Sequence, residues 1–308
     1  MSHALRVALV AFPLAVCACS MAEEEPDVDN VDLISFNGLA PESLLQNRDS
    51  LGALAGAPLD GATTELTSSQ DGQALLTDVV RCALPTGESA SFPTEGGSDL
   101  VLPGLLGLAP AWSVGPIGVT DQRFVTACLM AHVNGREVPF PISVRSARRN
   151  ADQIESLTFP AEEMAVYGNL FAPDGEVFAC FGEAVSQTLG SSGGISDAVP
   201  NYLDFRFCSI DAECGFNLVG ACFRFPSSDV TSSSCETRSR NIYERCHARP
   251  IQEAQTPSIN EPVTVYLQPG DLALLLTEYT AVICQTLGVC IDLDLEDLLG
   301  DGGLGLPI

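Results

Sequence analysis

Cysteines are the residues of this chain best suited to chemistry, and their spacing favours disulfide bonds over metal binding. The sequence contains 12 cysteines. Thiolate zinc sites use cysteines two to four residues apart, often with a second pair or with histidine. Beyond the N-terminus, the closest pairs here are Cys208 with Cys214 and Cys284 with Cys290, each with five intervening residues. We therefore predict no metal site at the cysteines.

Ten cysteines follow residue 19, and this even number suits complete pairing in an oxidising compartment. A Cys284–Cys290 bridge would fix the end of the last predicted helix. Five cysteines crowd between Cys208 and Cys246, so one of them needs an outside partner, and Cys180 is the nearest. Each bridge would contribute about 2–4 kcal/mol, mainly by restricting the unfolded chain. The disulfide candidates are Cys82, Cys128, Cys180, Cys208, Cys214, Cys222, Cys235, Cys246, Cys284 and Cys290.

The histidines and paired carboxylates predict no catalytic residue. The sequence has neither a P-loop nor a His-Glu-x-x-His helix. His132 continues the apolar stripe of a predicted helix and is expected to be buried with its hydrogen bonds satisfied. His247 is expected at the surface or in a hydrogen bond. The adjacent acids Glu162 and Glu163 are expected on a solvated face, because the chain is so acidic.

An acidic run near the C-terminus offers one alternative. Asp292-x-Asp294-x-Glu296 has the beginning of an EF-hand loop, but Asp297 stands where that loop needs glycine. We predict no cofactor, with loose calcium binding as the alternative.

The charge balance excludes some partners. The formal net charge is −26, and all 14 basic residues are arginine. Nucleic acid and anionic membrane surfaces are therefore poor partners.

The N-terminus predicts export. An apolar run from Val7 to Val16, about half the length of a membrane span, follows Arg6 as in a signal peptide. Val16, Ala18 and Cys19 then resemble a bacterial lipobox, with Cys19 as the lipidated residue and Cys17 removed with the signal. The alternative is ordinary cleavage that releases a soluble exported protein. Multiple acyl chains would hold the protein on a bilayer, and Ser20 and Met21 favour the outer membrane.

The chain is predicted to have four segments: a signal peptide (1–18), a lipidated cysteine with a flexible acidic tether (19–68), a disulfide-rich globular domain (69–290) and an acidic, Leu-rich tail (291–308). The run Glu23-Glu24-Glu25-Pro26-Asp27 cannot bury itself. The small Gly/Ala-rich pieces that follow it are interpreted as linker, with a worn repeat as the alternative.

Helical periodicity predicts a helix pair and a C-terminal helix. One helix begins near Asp71 as its cap and carries Cys82. A second begins at Thr120 or Asp121, carries Cys128 and ends at Asn134-Gly135. Cys82 and Cys128 would face each other across this pair, and we predict a bridge there. Asp271 is predicted to cap the last helix, which runs to about Leu287 with Gly288 as its C-cap.

Between these helices the pattern changes to short strands separated by turn signals. The fold class predicted is α+β, with the helix pair and the C-terminal helix packed on an antiparallel, sandwich-like core stapled by disulfides. The first strand, around Val138 to Val144, contains two prolines and is expected at a sheet edge. The other strand-like runs are 154–159, 164–171, 176–181, 202–208, 216–225 and 263–267.

Residues from about Leu66 to His247 resemble a group of uncharacterised lipoproteins from myxobacteria. The resembling pieces are Val80-Arg81-Cys82-Ala83-Leu84-Pro85, Gly107-Leu108-Ala109-Pro110-x-Trp112, Ala127-Cys128-Leu129 through Asn134, Tyr167-Gly168-Asn169-Leu170-Phe171, Cys214-Gly215-Phe216 and Glu244-x-Cys246-His247. Relatives in that group often carry Asn-Gly-Leu repeats before the domain, and here only Asn37-Gly38-Leu39 is clear. The resemblance implies export and disulfides, and it implies no catalytic activity.

The sequence therefore predicts a lipid-anchored cell-envelope protein with a non-catalytic binding or structural role, facing the periplasm or the cell surface. Its expected partners are the membrane, through the anchor, and an envelope protein or glycan. One alternative is an exported hydrolase, which would need His132 or His247 exposed in a cleft. The other is a calcium-dependent adhesion module.

Overall fold

A six-stranded mixed β-sheet forms the middle layer of the domain in this computed structural model. The chain divides into two units, residues 1–31 and 32–308, and every described residue lies in the second. The structure describes residues 34–136, 138–148, 158–191, 198–208, 215–223, 234–239, 242–247, 258–259, 261–288, 290, 291, 293 and 295.

The described residues contain eleven strands in three sheets. The strands are β1 (Ile34–Phe36), β2 (Ser89–Phe92), β3 (Leu100–Pro103), β4 (Pro141–Ser146), β5 (Ala161–Gly168), β6 (Val177–Phe181), β7 (Asn217–Ala221), β8 (Cys235–Ser239), β9 (Ile242–His247), β10 (Ser258–Ile259) and β11 (Val263–Leu267). The large sheet has the order β1-β4-β11-β5-β6-β7, and only the β6–β7 pair is parallel. The small sheets are β10-β9-β8 and the hairpin β2-β3.

Seven α-helices accompany these strands in the described part of the chain. They are α1 (Pro41–Gln46), α2 (Arg48–Leu54), α3 (Gln70–Ala83), α4 (Val119–His132), α5 (Glu183–Ser191), α6 (Ala198–Cys208) and α7 (Pro269–Leu287). Two short 3-10 helices, Glu65–Ser68 and Pro110–Ser113, lie between them.

The central strands are covered on both faces. Strands β5, β6 and β11 are buried along their whole length, which is why their sequences read as nearly continuous apolar runs. One face of the sheet joins the main hydrophobic core with the helices. The other face packs against the β10-β9-β8 sheet through a second core of aromatic and cysteine side chains. The predicted α+β class is therefore confirmed, and the sheet is mixed where an antiparallel one was expected.

The predicted helix pair is confirmed as α3 and α4, joined by the Cys82–Cys128 disulfide. The N-cap of α3 is Ser69, whose hydroxyl accepts the Gly72 N–H at 3.0 Å. Asp71 therefore lies in the first turn and is not the cap. Ser69 takes this role because its short side chain reaches the free N–H groups of the first turn.

The C-terminal helix is also confirmed. Helix α7 ends at Gly288, which has a φ of 70° and closes the helix with its N–H on the Cys284 carbonyl. A left-handed residue at this position is favourable for glycine, which has no Cβ to clash. The helix begins one turn earlier than expected, with Gln268 as N-cap, and Asp271 makes no capping hydrogen bond.

The predicted flexible tether is wrong for residues 34–68, which belong to the folded domain. Strand β1 pairs with β4, and the N–H of Leu39 bonds to the His132 carbonyl at 3.0 Å. Leu44 and Leu51, on α1 and α2, are completely buried. The Trp112 indole N–H donates to the Ala57 carbonyl at 3.0 Å. In the sequence these leucines are isolated among small Gly/Ala-rich pieces. No periodic apolar pattern therefore indicates that the segment is folded.

Two strand predictions are also wrong. Residues 202–208 form the end of helix α6. Strand β4 is internal, because β1 pairs with its outer side. Prolines are tolerated there since Pro139 precedes the strand and Pro141 is its first residue. The first four residues of the predicted 154–159 strand lie outside the described residues.

Among the described helices, none has both the length and the apolar character required to cross a bilayer.

Replacing Leu51 with alanine tests whether α2 belongs to the domain. Leu51 is fully buried, so the change should lower the free energy of unfolding by about 2–5 kcal/mol. Val114→Ala, at a side chain that is 84% exposed, should change it by less than about 0.5 kcal/mol. Denaturant titration measures both, and equal small effects would restore the tether interpretation.

Candidate functional site

The described cysteines are all in disulfide bonds. Four bridges are Cys82–Cys128, Cys180–Cys222, Cys235–Cys246 and Cys284–Cys290. Cys208 is disulfide-bonded as well, and Cys214 lies outside the described residues. Cys180 thus takes its partner from the 208–246 segment, as predicted, and the Cys284–Cys290 prediction is confirmed.

Two groups of potential metal ligands lie close together. Cys82, Cys128 and His132 form one, and Cys180, Cys235 and Cys246 form the other. In the second, the sulfur atoms of Cys180 and Cys235, from different bridges, are 3.6 Å apart. A cysteine binds metal as a thiolate. Bridging and metal binding by these sulfurs are therefore mutually exclusive.

His132 lies in the interior at the end of α4. Its Nδ1 is 3.6 Å from the Asp78 carboxylate and 3.9 Å from the Cys82 sulfur. Its Nε2 has no hydrogen-bond partner among the described residues. Burial lowers the pKa of His132 to about 3, with a further contribution from the Arg81 charge. Burial raises the pKa of Asp78 to about 6, against the opposing effect of Arg81. The imidazole is neutral at physiological pH and is enclosed, as expected, but the expected hydrogen bond at Nε2 is absent among the described residues.

His247 is half of a hydrogen-bonded pair on the small sheet. Its Nε2 lies 2.7 Å from the Glu236 carboxylate. Its backbone carbonyl accepts the Tyr167 hydroxyl at 2.7 Å. The His247 residue is 8% exposed. The predicted hydrogen bond is confirmed, and neither His132 nor His247 is the exposed imidazole in a cleft that the hydrolase alternative requires.

One stretch of the sequence matches a pattern that carries the serine nucleophile in hydrolases. Residues 190–194 (Gly-Ser-Ser-Gly-Gly) match the Gly-x-Ser-x-Gly pattern. In hydrolases that pattern forms a turn from a strand into a helix. Here Gly190 and Ser191 are the last residues of α5, and residues 192–194 lie outside the described residues. The pattern follows a helix, so its context does not fit a nucleophile elbow.

The adjacent acids Glu162 and Glu163 are not on a solvated face, and this prediction is wrong. They lie on β5, 2% and 0% exposed. The register between β5 and β11 shifts at this point, so Tyr266 is opposite Glu162 while Val265 is opposite Met164. Glu163 is the extra residue of this bulge. Glu162 consequently faces the small sheet, and Glu163 faces the helices.

Glu163 forms a buried ion pair with α6. The Arg206 Nε donates to its Oε1 at 2.7 Å, and the Tyr202 hydroxyl donates to the same atom at 2.9 Å. Arg206 also donates to the Val133 carbonyl and lies over the Phe140 ring at 5.1 Å. Burial and then the Glu163 charge raise the pKa of Tyr202, so this hydroxyl stays a donor.

Glu162 is held on the other face by tyrosines. The Tyr243 hydroxyl of β9 donates to Oε1 at 2.7 Å, and the Tyr266 hydroxyl of β11 donates to Oε2 at 3.1 Å. The Arg145 guanidinium stacks on the Tyr266 ring at 3.6 Å. Both carboxylates thus join separate elements in the interior. The only advance signal for them is their position inside the apolar run of a doubly buried strand.

A groove lies between residues 135–136 and 138–141 on one side and the first turns of α7 on the other. Its volume is about 500 Å³, within the range of small-ligand sites. The Arg136 side chain forms an ion pair with Glu278 across the groove, with 2.6 Å between Nη2 and Oε2. Val138 and Leu274 are exposed in it, and Asp271 also lines it. None of these residues was singled out as a site by the sequence. The acidic residues considered for calcium, Asp292, Asp294 and Glu296, lie outside the described residues.

The fold and its bridges define the class of protein: a disulfide-stapled α+β domain. Comparisons with protein-family models, with curated proteins and with solved structures found no match to this chain. The likeness to myxobacterial lipoproteins stays a prediction.

Removing Arg206 tests the buried ion pair. Arg206→Met leaves the Glu163 carboxylate without its cation and should cost about 3–5 kcal/mol of unfolding free energy. Arg245→Met is the control, since Arg245 pairs with Glu236 at a largely exposed site and should cost less than about 1 kcal/mol. The double variant Arg206→Met, Glu163→Gln should lose less than the sum of the single losses. Additive losses would contradict the coupling.

The protonation of His132 predicts a pH-dependent stability. Its folded pKa is about 3 and its unfolded pKa 6.5, so the unfolded chain binds the proton first as pH falls. The free energy of unfolding therefore falls by about 1.4 kcal/mol for each pH unit below 6.5, and this decrease ends near pH 3. The raised pKa of Asp78 acts oppositely between 3.8 and about 6, so the two effects offset one another in the native protein.

His132→Gln should therefore become more stable relative to the native protein as pH falls from 6.5 towards 3. Urea unfolding of both proteins at several pH values between 6.5 and 3 gives the difference in their free energies of unfolding. Val114→Ala, at an exposed side chain that does not titrate, serves as the control and should give a curve parallel to that of the native protein. Parallel curves for His132→Gln and the native protein would show that His132 does not titrate on unfolding.

Proposed function

We propose that this protein is exported, is anchored through a lipid on Cys19, and has a non-catalytic binding or structural role in the cell envelope. The observation that carries the proposal is the state of the cysteines: each one described, from Cys82 to Cys290, is in a disulfide. Disulfides persist in oxidising compartments outside the cytoplasm. Structural bridges are therefore compatible with the signal and lipobox that the N-terminus predicts.

The arrangement of the bridges supports a structural role for them. The sulfurs of Cys82, Cys128, Cys180, Cys222 and Cys246 are in residues with no solvent exposure. Redox-active cysteines are typically accessible and electropositive. Enclosed bridges of this kind stabilise a domain that must survive without cytoplasmic chaperones.

A binding role is favoured over catalysis by where the polar groups lie. Interior hydrogen bonds engage the side chains of Glu162, Glu163 and Arg206, and His132 is enclosed. The groove beside α7 instead exposes apolar side chains next to charged ones. Exposed apolar surface rimmed by polar residues is typical of an interaction site.

Mass spectrometry of the protein purified from its host tests the anchor. The N-terminal peptide should begin at Cys19 and carry acyl chains. Cys19→Ser should move the protein from the membrane fraction to the soluble fraction, whereas Cys17→Ser should leave it in the membrane. An unmodified N-terminus produced by cleavage at another site would exclude the anchor and leave export in place.

Thiol alkylation under denaturing conditions tests the compartment. Before reduction, no cysteine after residue 19 should react, and after reduction all ten should. Several reactive thiols in the unreduced protein would contradict export.

A further inference from the structure

The groove beside α7 contains an acid that the described chain leaves without a partner. Asp271, Leu274, Leu275 and Glu278 follow helical spacing and share one face of α7. Glu278 is paired with Arg136 at 2.6 Å. The Asp271 Oδ2 is shielded from solvent and has no hydrogen-bond partner among the described residues.

The first turn of α7 is a favourable position for the Asp271 carboxylate, because the positive end of the helix dipole lies there. The dipole supplies no hydrogen bond, however: α7 has no side-chain cap, and its first residue is Pro269. Partial burial raises the pKa of Asp271, which is the direction expected when a carboxylate loses water without gaining a donor. The side chain as a whole is half-buried, so a cationic donor would approach the other carboxylate oxygen, Oδ1, and offset the charge that has lost part of its water.

The walls of the groove are apolar. Val138 and Leu274 are 72% and 58% exposed and are among the largest exposed hydrophobic residues of the described chain. Pro139, Phe140 and Pro141 continue the wall. The groove therefore combines one unpaired negative charge with aliphatic and aromatic contacts.

We propose that this groove binds an apolar peptide segment of a partner protein through a lysine or arginine side chain. The cation would pair with Asp271, and the neighbouring aliphatic side chains would cover Val138 and Leu274. The net charge of −26 attracts a basic partner and repels a second copy of this chain. The proposal rests on the binding role proposed above and names the chemistry of its partner.

The test is a calorimetric titration of the full chain, with its disulfides intact, against two synthetic peptides. One is acetyl-Ala-Leu-Lys-Leu-Ala-amide, and the other carries Nε-acetyl-lysine in place of lysine. The lysine peptide should bind about tenfold more tightly, because acetylation removes the charge and keeps the length of the side chain. In Asp271→Asn the two peptides should bind within about twofold of each other.

Two further variants separate the contacts from general effects. Leu274→Ser should weaken both peptides by a similar factor, because the apolar contact is common to them. Glu95→Gln, at an exposed acid in the β2–β3 hairpin, should leave the tenfold preference unchanged. The melting temperature of each variant shows that it is folded.

Three results would overturn the proposal: equal binding of the two peptides to the native protein, a preference that survives in Asp271→Asn, or no binding of either peptide to folded protein. Concentration-dependent dimerisation that Asp271→Asn abolishes would assign the groove to a second copy and also reject the proposed partner. The titration does not depend on the lipid, so its failure and a failure of the Cys19 test are distinguishable.

Discussion

The burial of two adjacent carboxylates on β5 is the constraint on which the interior depends. Removing a carboxylate from water costs several kcal/mol, which only close partners can offset. Glu163 obtains them from α6, and Glu162 obtains them from β9 and β11. The bulge in β5 places the two side chains on opposite faces of the sheet. Helix α6 must therefore pack on one face, and β9 on the other, to supply the hydrogen-bond donors. Gly182 belongs to this arrangement, since a Cβ there would lie 2.6 Å from the Glu162 carbonyl oxygen.

The two faces of the sheet are held by different kinds of interaction. On the helical face, a large apolar core surrounds the Glu163–Arg206 pair. On the other face, the core is small, and its members include Cys180, Cys222, Cys235 and Cys246. A thin layer buries too little apolar area to be stable alone. The two bridges compensate by limiting the unfolded chain, so covalent links are concentrated where hydrophobic burial is weakest.

The sequence predicts the elements whose periodicity is set by a single buried face. Helices α3 and α7 are of this kind. Helix α4 is predicted from apolar residues at helical spacing, although it is buried without a break from Phe124 to His132. The Cys82–Cys128 bridge follows from α3 and α4. Helix α6 is different because Tyr202, Leu203, Phe205 and Phe207 are all buried. A helix that is buried on several sides lacks a one-sided apolar periodicity, so its continuous apolar run is easily predicted as a buried strand.

The buried acids were missed for a related reason. Residue type alone places glutamate at the surface, and the partner that reverses this preference, Arg206, is 43 residues from Glu163. Such a pairing depends on the packing of α6 on the sheet, which no local pattern encodes. The tether error is similar, because Leu44 and Leu51 are buried in the main core, most of whose other members lie far away along the chain.

The distribution of charge also bears on function. The Glu163–Arg206 pair and the Glu162 carboxylate are enclosed, where they stabilise the fold. Helix α7 differs, since one side of it packs into the core through Leu272 and Leu276 while residues of its other side, Asp271 and Leu274, line the groove. Its far end is fixed by the Cys284–Cys290 bridge. A helix fixed at its end and along its inner side presents its outer side without rearrangement, and a preorganised surface of this kind lowers the entropic cost of binding a partner.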